Sequence, residues 1–156
     1  MKRRNFLSIS IFSLPLFLGV TEVKSEENKS KKVFLSDQEW QKKLTAQQYQ
    51  VLRKEGTEKP FSSPLNDEKR KGVYTCAGCN LPLFNSSTKY NSGTGWPSFF
   101  EPINPEAVEL IDDNSYGIYR VEVCCAYCGA HLGHVFNDGP QPTGKRFCIN
   151  SVCLEP

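Results

Sequence analysis

The sequence predicts an α+β domain dominated by antiparallel strands. Three features carry that prediction: two helix-capping boxes near the start, a change beyond Pro60 to short β-rich runs punctuated by Gly and Pro, and two Cys-x-x-Cys knuckles separated by 45 residues. Ser36-Asp37-Gln38-Glu39 and Thr45-Ala46-Gln47-Gln48 each place a hydroxyl three residues before a Glu or Gln, so each starts a short helix with its orphan amides satisfied. Gly56 is expected to end the second. Strands are then expected at Gly72 to Cys76, Val108 to Ile111, Ile118 to Cys124, His134 to Phe136 and Phe147 to Leu154. The clearest is Ile118 to Cys124, where alternation puts Tyr119, Val121 and Val123 on one face and Arg120 and Glu122 on the other.

The chain starts Met1-Lys2-Arg3-Arg4, and Phe6 to Val20 is an apolar run broken by Ser, Pro and Gly. That run is short of the ~20 apolar residues a membrane-spanning helix needs, so residues 1–25 read as a signal peptide. Arg3-Arg4-Asn5-Phe6-Leu7 resembles a twin-arginine export motif, with Lys2 and Ser8 departing from the usual flanks. Export to a bacterial periplasm is the expected localisation, with an uncleaved anchor, the one expected membrane contact, as the alternative. Residues 26–34 read as a charged tether and 35–156 as one domain. Loss of residues 1–25 takes four of 19 basic groups and one of 17 acidic ones, leaving 15 against 16. No basic surface remains to argue for nucleic acid. A monomer is expected.

Seven cysteines in an exported chain ordinarily suggest disulfides, yet an odd number cannot all pair. Cys76-x-x-Cys79 and Cys125-x-x-Cys128 have instead the spacing of a Cys₄ zinc shell, closed to water and therefore structural. Twin-arginine export moves folded proteins, so Zn²⁺ loaded in the cytoplasm could shield these thiolates before they meet oxidants. Holding distant segments together would make metal binding part of folding.

Chemistry must then lie elsewhere. The two histidines, His131 and His134, share the segment His131-Leu132-Gly133-His134-Val135-Phe136 and are free for acid/base work if thiolates hold the metal. Cys148 stands apart from the knuckles. Arg146 and Asn150, two residues to either side, project from the same strand face and would supply a cation to favour thiolate and an amide to orient it or a substrate. Buried, merely structural roles for these histidines and for Cys148 are the alternative.

The knuckles, Asn91-Ser92-Gly93-Thr94-Gly95-Trp96-Pro97-Ser98-Phe99, the run from Gly129 to Pro140 and Gly144-Lys145-Arg146-Phe147-Cys148-Ile149-Asn150-Ser151 together resemble the methionine-R-sulfoxide reductase B family, in order from Leu35 to Leu154. The resemblance implies two antiparallel sheets with short N-terminal helices and one structural zinc on Cys76, Cys79, Cys125 and Cys128. It implies that Cys148 attacks the sulfur of a methionine-R-sulfoxide in an oxidised protein and becomes a sulfenic acid, later reduced by thioredoxin-like thiols. By the same resemblance His131 and His134 lie at the sulfoxide oxygen, Asp138, Arg146 and Asn150 support them, and Trp96 and Phe136 bind substrate. Thr94 departs from the pattern, because many relatives carry the resolving cysteine there. An external thiol, Cys124 and Cys153 are the remaining resolving candidates; in a straight strand Cys153 would sit about 16 Å from Cys148, on the opposite face.

Two other classes compete. A zinc-ribbon binding module would need a binding face that the charge pattern does not supply. A thiol-disulfide exchanger would need a free Cys-x-x-Cys, and both are required for the metal shell.

Overall fold

The computed structural model describes residues 32–156, apart from the side chain of Tyr116; the expected signal peptide and most of the expected tether lie outside the described residues. Within the tether, the Val33 amide donates to the Tyr127 carbonyl at 2.9 Å and Lys32 pairs with Glu109, so the chain is tied to the domain ahead of Leu35.

Both capping boxes form. Helix α1 (Asp37–Lys43) is capped by Ser36 and Glu39, and α2 (Ala46–Leu52) by Thr45 and Gln48, with reciprocal side-chain and backbone bonds at each. Their buried residues, Trp40, Tyr49, Val51 and Leu52, dock the pair on the core. Helix α2 ends before Gly56. Glu55 takes the left-handed conformation (φ 55°) and the Gly56 amide returns to the Gln50 carbonyl at 3.0 Å, where a Cβ on residue 56 would lie 2.8 Å from that oxygen.

Strands β1 (Val73–Cys76) and β2 (Pro82–Asn85) join the C-terminal β9 (Leu154–Glu155) in a three-stranded sheet of order β2-β1-β9. The second sheet holds β3 (Lys89–Tyr90), β4 (Ser98–Phe99), β5 (Val108–Asp113), β6 (Arg120–Cys125), β7 (His131–Phe136) and β8 (Arg146–Ile149) in the order β3-β4-β8-β7-β6-β5. Every pairing is antiparallel. Phe84 of the small sheet stacks on Phe99 of the large one at 4.4 Å between centroids, and Tyr74 meets Phe99 edge-on at 5.2 Å, so these rings join the sheets through one core.

Three expected strands change. The run from Phe147 to Leu154 is not one strand: β8 stops at Ile149, a 3₁₀ turn spans Ser151–Cys153, and β9 belongs to the other sheet. The buried Glu58 carboxylate breaks it, accepting from the Ser151 amide (2.6 Å), the Ser151 hydroxyl (2.7 Å) and the Val152 amide (3.3 Å). Cys153 therefore turns into the core, with its thiol donating to the His131 carbonyl, and the straight-strand argument about it lapses. Strand β6 begins at Arg120, which leaves Tyr119 exposed rather than on the inner face with Val123. Strand β7 begins three residues earlier than expected, and that extension carries His131.

Candidate active site and metal centre

The knuckles lie at strand ends, Cys76 closing β1 and Cys125 closing β6. Each turns the same way: the residue four positions on, Asn80 (φ 62°) or Gly129 (φ 65°), takes the left-handed conformation and returns its amide to the first cysteine's carbonyl, at 2.7 and 2.8 Å. The four sulfurs all lie within 4.8 Å of one another, with Cys76 to Cys128 at 3.7 Å and Cys79 to Cys125 at 3.6 Å. Those separations are too long for disulfides and match the about 3.8 Å between ligands of a tetrahedral ion with Zn–S bonds of ~2.3 Å. This cluster can hold a metal ion.

The second constellation is set by register. His134 on β7 pairs directly with Cys148 on β8, and Phe136 pairs with Arg146, so all four side chains share one face while Val135, Phe147 and Ile149 fill the core behind them. The strands approach closely at Gly133, where a Cβ would stand 2.0 Å from the Cys148 carbonyl oxygen. Only glycine fits there. In a regular strand His131 and His134 would face opposite sides, but Val123 pairs with Gly133 and Cys124 with His131, a bulge that skips Leu132. Both imidazoles thus reach one face, their rings edge to face at 5.5 Å.

Each histidine is held by a carboxylate. His131 Nδ1 lies 2.5 Å from Glu122 Oε1, and His134 Nε2 lies 2.8 Å from Asp113 Oδ2, which also accepts from Arg120 Nη2 at 2.6 Å. A carboxylate only accepts, so in the neutral rings the protons sit on His131 Nδ1 and His134 Nε2. Bonds from the Ser115 hydroxyl and amide and from His134 hold the Asp113 carboxyl well below the usual carboxylate range. Burial lowers the His134 pKa, against the opposing bond from Asp113.

Cys148 opens into a cavity of about 150 Å³ lined by Thr57, Trp96, Arg120, Gly133, His134, Phe136 and Asn150. This is smaller than the ~300–1,000 Å³ of drug-sized sites and suits one side chain. Trp96 walls it, its indole nitrogen donating to the Glu58 carbonyl at 3.2 Å. A larger cavity of about 390 Å³, between residues 68–74 and Pro156, carries neither histidine nor cysteine.

Not every expected residue touches this space. His131 lines a separate cleft of about 340 Å³ on the far side of His134, together with Asp113 and Glu122, so only His134 is brought to Cys148. Asn150 spends its amide on backbone, accepting from the Glu58 amide at 3.0 Å and donating to the Leu132 carbonyl at 3.0 Å. It fastens the cavity floor. Asp138, largely exposed, pairs with Arg146 through two bonds of 2.8 Å, and the guanidinium stacks on Phe136 at 4.4 Å. Asp138 thereby opposes the charge that Arg146 offers the thiol, and burial outweighs Arg146 and the Thr94 hydroxyl, pushing the Cys148 thiol up. Thr94 Oγ1 stands 4.0 Å from Cys148 Sγ, at the end of a hydroxyl chain through Ser92 and Ser98.

The functional-site residues not foreseen are Thr57, Glu58, Asp113, Arg120, Glu122 and Gly133. Glu122 carried a signal: β6 lies inside the sheet, and a charged residue on a face opposite its core must find a partner there.

Residues 44–156 match the family model described as the SelR domain. The chain belongs to the methionine-R-sulfoxide reductase B family. It is 60% identical over 124 residues to a peptide methionine sulfoxide reductase MsrB of Methanosarcina barkeri, covering 80% of this chain and 87% of that one. A Pseudomonas putida protein of the same name is 56% identical over 125 residues, 80% of this chain and 95% of its own. Mouse methionine-R-sulfoxide reductase B3, mitochondrial, is 49% identical over 140 residues, 90% of this chain and 55% of its own. As a family member the chain is an oxidoreductase, and the reductase B family acts on oxidised proteins. Among the described residues no helix is long and apolar enough to cross a membrane.

Proposed function

We propose that this chain reduces methionine-R-sulfoxide residues of oxidised proteins to methionine with Cys148 as nucleophile and His134 as acid. The observation that carries the reading is the cross-strand pairing of His134 with Cys148 inside one cavity walled by Trp96 and Phe136. Proton transfer from the thiol to the imidazole yields thiolate and imidazolium. The thiolate attacks the sulfoxide sulfur, the imidazolium protonates the sulfoxide oxygen, and that oxygen ends on Cys148 as a sulfenic acid while methionine leaves. Trp96 and Phe136 give the S-methyl group an apolar wall, and His134 gives the oxygen a polar one. Only one epimer presents methyl and oxygen to the right walls.

Two external thiols then restore the enzyme, the first displacing water from the sulfenic acid and the second breaking the mixed disulfide. A thioredoxin-like reductant fits because Thr94, beside Cys148, is a hydroxyl, and Cys124 and Cys153 are buried. The Cys₄ cluster, with its soft thiolates and tetrahedral spacing, suits Zn²⁺ that ties β1 to β6. When bound, the ion supplies folding energy and takes no part in turnover.

The test is reduction of the separate R and S epimers of a peptide sulfoxide with dithiothreitol. The R epimer should be consumed and the S epimer left untouched, and Cys148→Ser should abolish the first while keeping metal and fold. Equal use of both epimers, or an active serine variant, would overturn this reading.

A further inference from the structure

Beside the cavity, Phe61 breaks two rules of packing at once. The residue is 72% exposed, although Phe is ordinarily buried, and its backbone is left-handed at φ 59°, a region bulky residues avoid. Neither feature is loose. The Phe61 amide donates to the Gly95 carbonyl at 2.8 Å, and Asn66 Nδ2 donates to the same oxygen at 2.7 Å. Gly95 itself sits at φ 92°, where a Cβ would stand 2.7 Å from Pro60 Cβ and 2.8 Å from Phe61 Cδ2. The loop bearing Phe61 therefore interlocks with the loop bearing Trp96, and the result is an aromatic ring held in solvent. Strain that the surroundings over-determine, beside a functional cavity, points to use.

Trp96 lines the Cys148 cavity on one side and, on the other, a hollow of about 110 Å³ shared with Phe61, Tyr90, Asn91 and Ser92. The two spaces thus share one indole as a wall. Of the hollow's lining only Asp67 carries charge; the rest is aromatic, hydroxyl, amide or backbone. That chemistry suits an uncharged segment of extended chain and one apolar side chain. Residues i and i+2 of an extended chain project to the same side roughly 7 Å apart, about the span of an indole.

We propose that Phe61 and Trp96 form a second subsite, which takes an apolar side chain within two residues of the methionine sulfoxide in an unfolded or loosened stretch of the protein substrate. This rests on the reductase reading above. Oxidised methionines that come out of protein cores are flanked by apolar residues, and the exposed ring selects for that context. No second copy of the chain is needed for the arrangement.

The experiment compares pentapeptides with a central methionine-R-sulfoxide flanked by glycine or by leucine. In the wild type the leucine-flanked peptide should have a KM about five- to tenfold lower with equal kcat, the gain expected for partly burying one leucine side chain. Phe61→Asn removes the ring while keeping a residue that tolerates left-handed backbone. It should bring the KM ratio to about one, and Phe61→Trp should restore the preference, both as monomers. A ratio that survives in Phe61→Asn, a loss that falls on kcat, or a change of oligomeric state would overturn the subsite alone. A wild-type protein that reduces neither peptide would overturn the reductase reading and the subsite with it.

Discussion

Gly133→Ala probes the contact on which the site depends. The added Cβ would stand 2.0 Å from the Cys148 carbonyl oxygen and 3.1 Å from both Cys148 C and Ile149 Cα, all backbone atoms that cannot rotate away. Real Cβ contacts do not fall below 3.0 Å, so β7 and β8 must part by about 1 Å where Gly133 faces Ile149 and His134 faces Cys148. Overpacking of this kind costs about 1–3 kcal/mol, which lowers Tm by roughly 4–12 °C in a domain of this size. The chemical cost is separate: a misplacement of ~1 Å between acid and nucleophile can take about a hundredfold from the rate, ~2.7 kcal/mol of barrier. Single-turnover reduction of the R epimer at 25 °C, read beside a thermal melt, separates the two because the folded population remains dominant there. An alanine variant with wild-type Tm and a rate within about twofold of wild type would refute the claim that strand separation sets the His134–Cys148 geometry.

Two further outcomes follow from the electrostatics and the chain start. His134 titrates below its ordinary 6.5 and Cys148 above its ordinary 9.0, so thiolate with imidazolium has the same proton count as thiol with imidazole. kcat/KM should therefore be flat between those limits, falling on the acid side as His134 protonates with the thiol still present and on the alkaline side as the thiol ionises with imidazole neutral. The groups facing His134 are Asp113, Arg120, Glu122, His131 and Cys148, and of those acting on its pKa only Asp113 raises it. Asp113→Asn should move the acid limb lower and depress the plateau; an unshifted limb would remove His134 as the acid. As for the start of the chain, Lys at both Arg3 and Arg4 should retain precursor in the cell, and unchanged export, followed by fractionation, would exclude the twin-arginine route.

What the sequence made legible was local. The capping boxes and knuckles are each built within a few residues, and they form as the pattern implies. The strand break at Asn150 was not legible, because its cause is Glu58, more than ninety residues away in the chain. Nor was the bulge at Leu132, which puts two histidines of unlike parity on one face; period-2 alternation has no place for an extra residue. Arg146 shows a different limit. Its strand parity was right, yet its charge is taken up by Asp138, so proximity in sequence overstated what it gives the thiol.

Cys148 as the oxygen acceptor is tested by mass spectrometry of the protein after one equivalent of a methionine-R-sulfoxide peptide, without reductant and with a sulfenic-acid trap. One equivalent of methionine and a trapped label on Cys148 are expected, with zinc still bound to the four knuckle cysteines. Methionine formed without any oxidation of Cys148, or oxygen recovered on another cysteine in its place, would contradict that assignment.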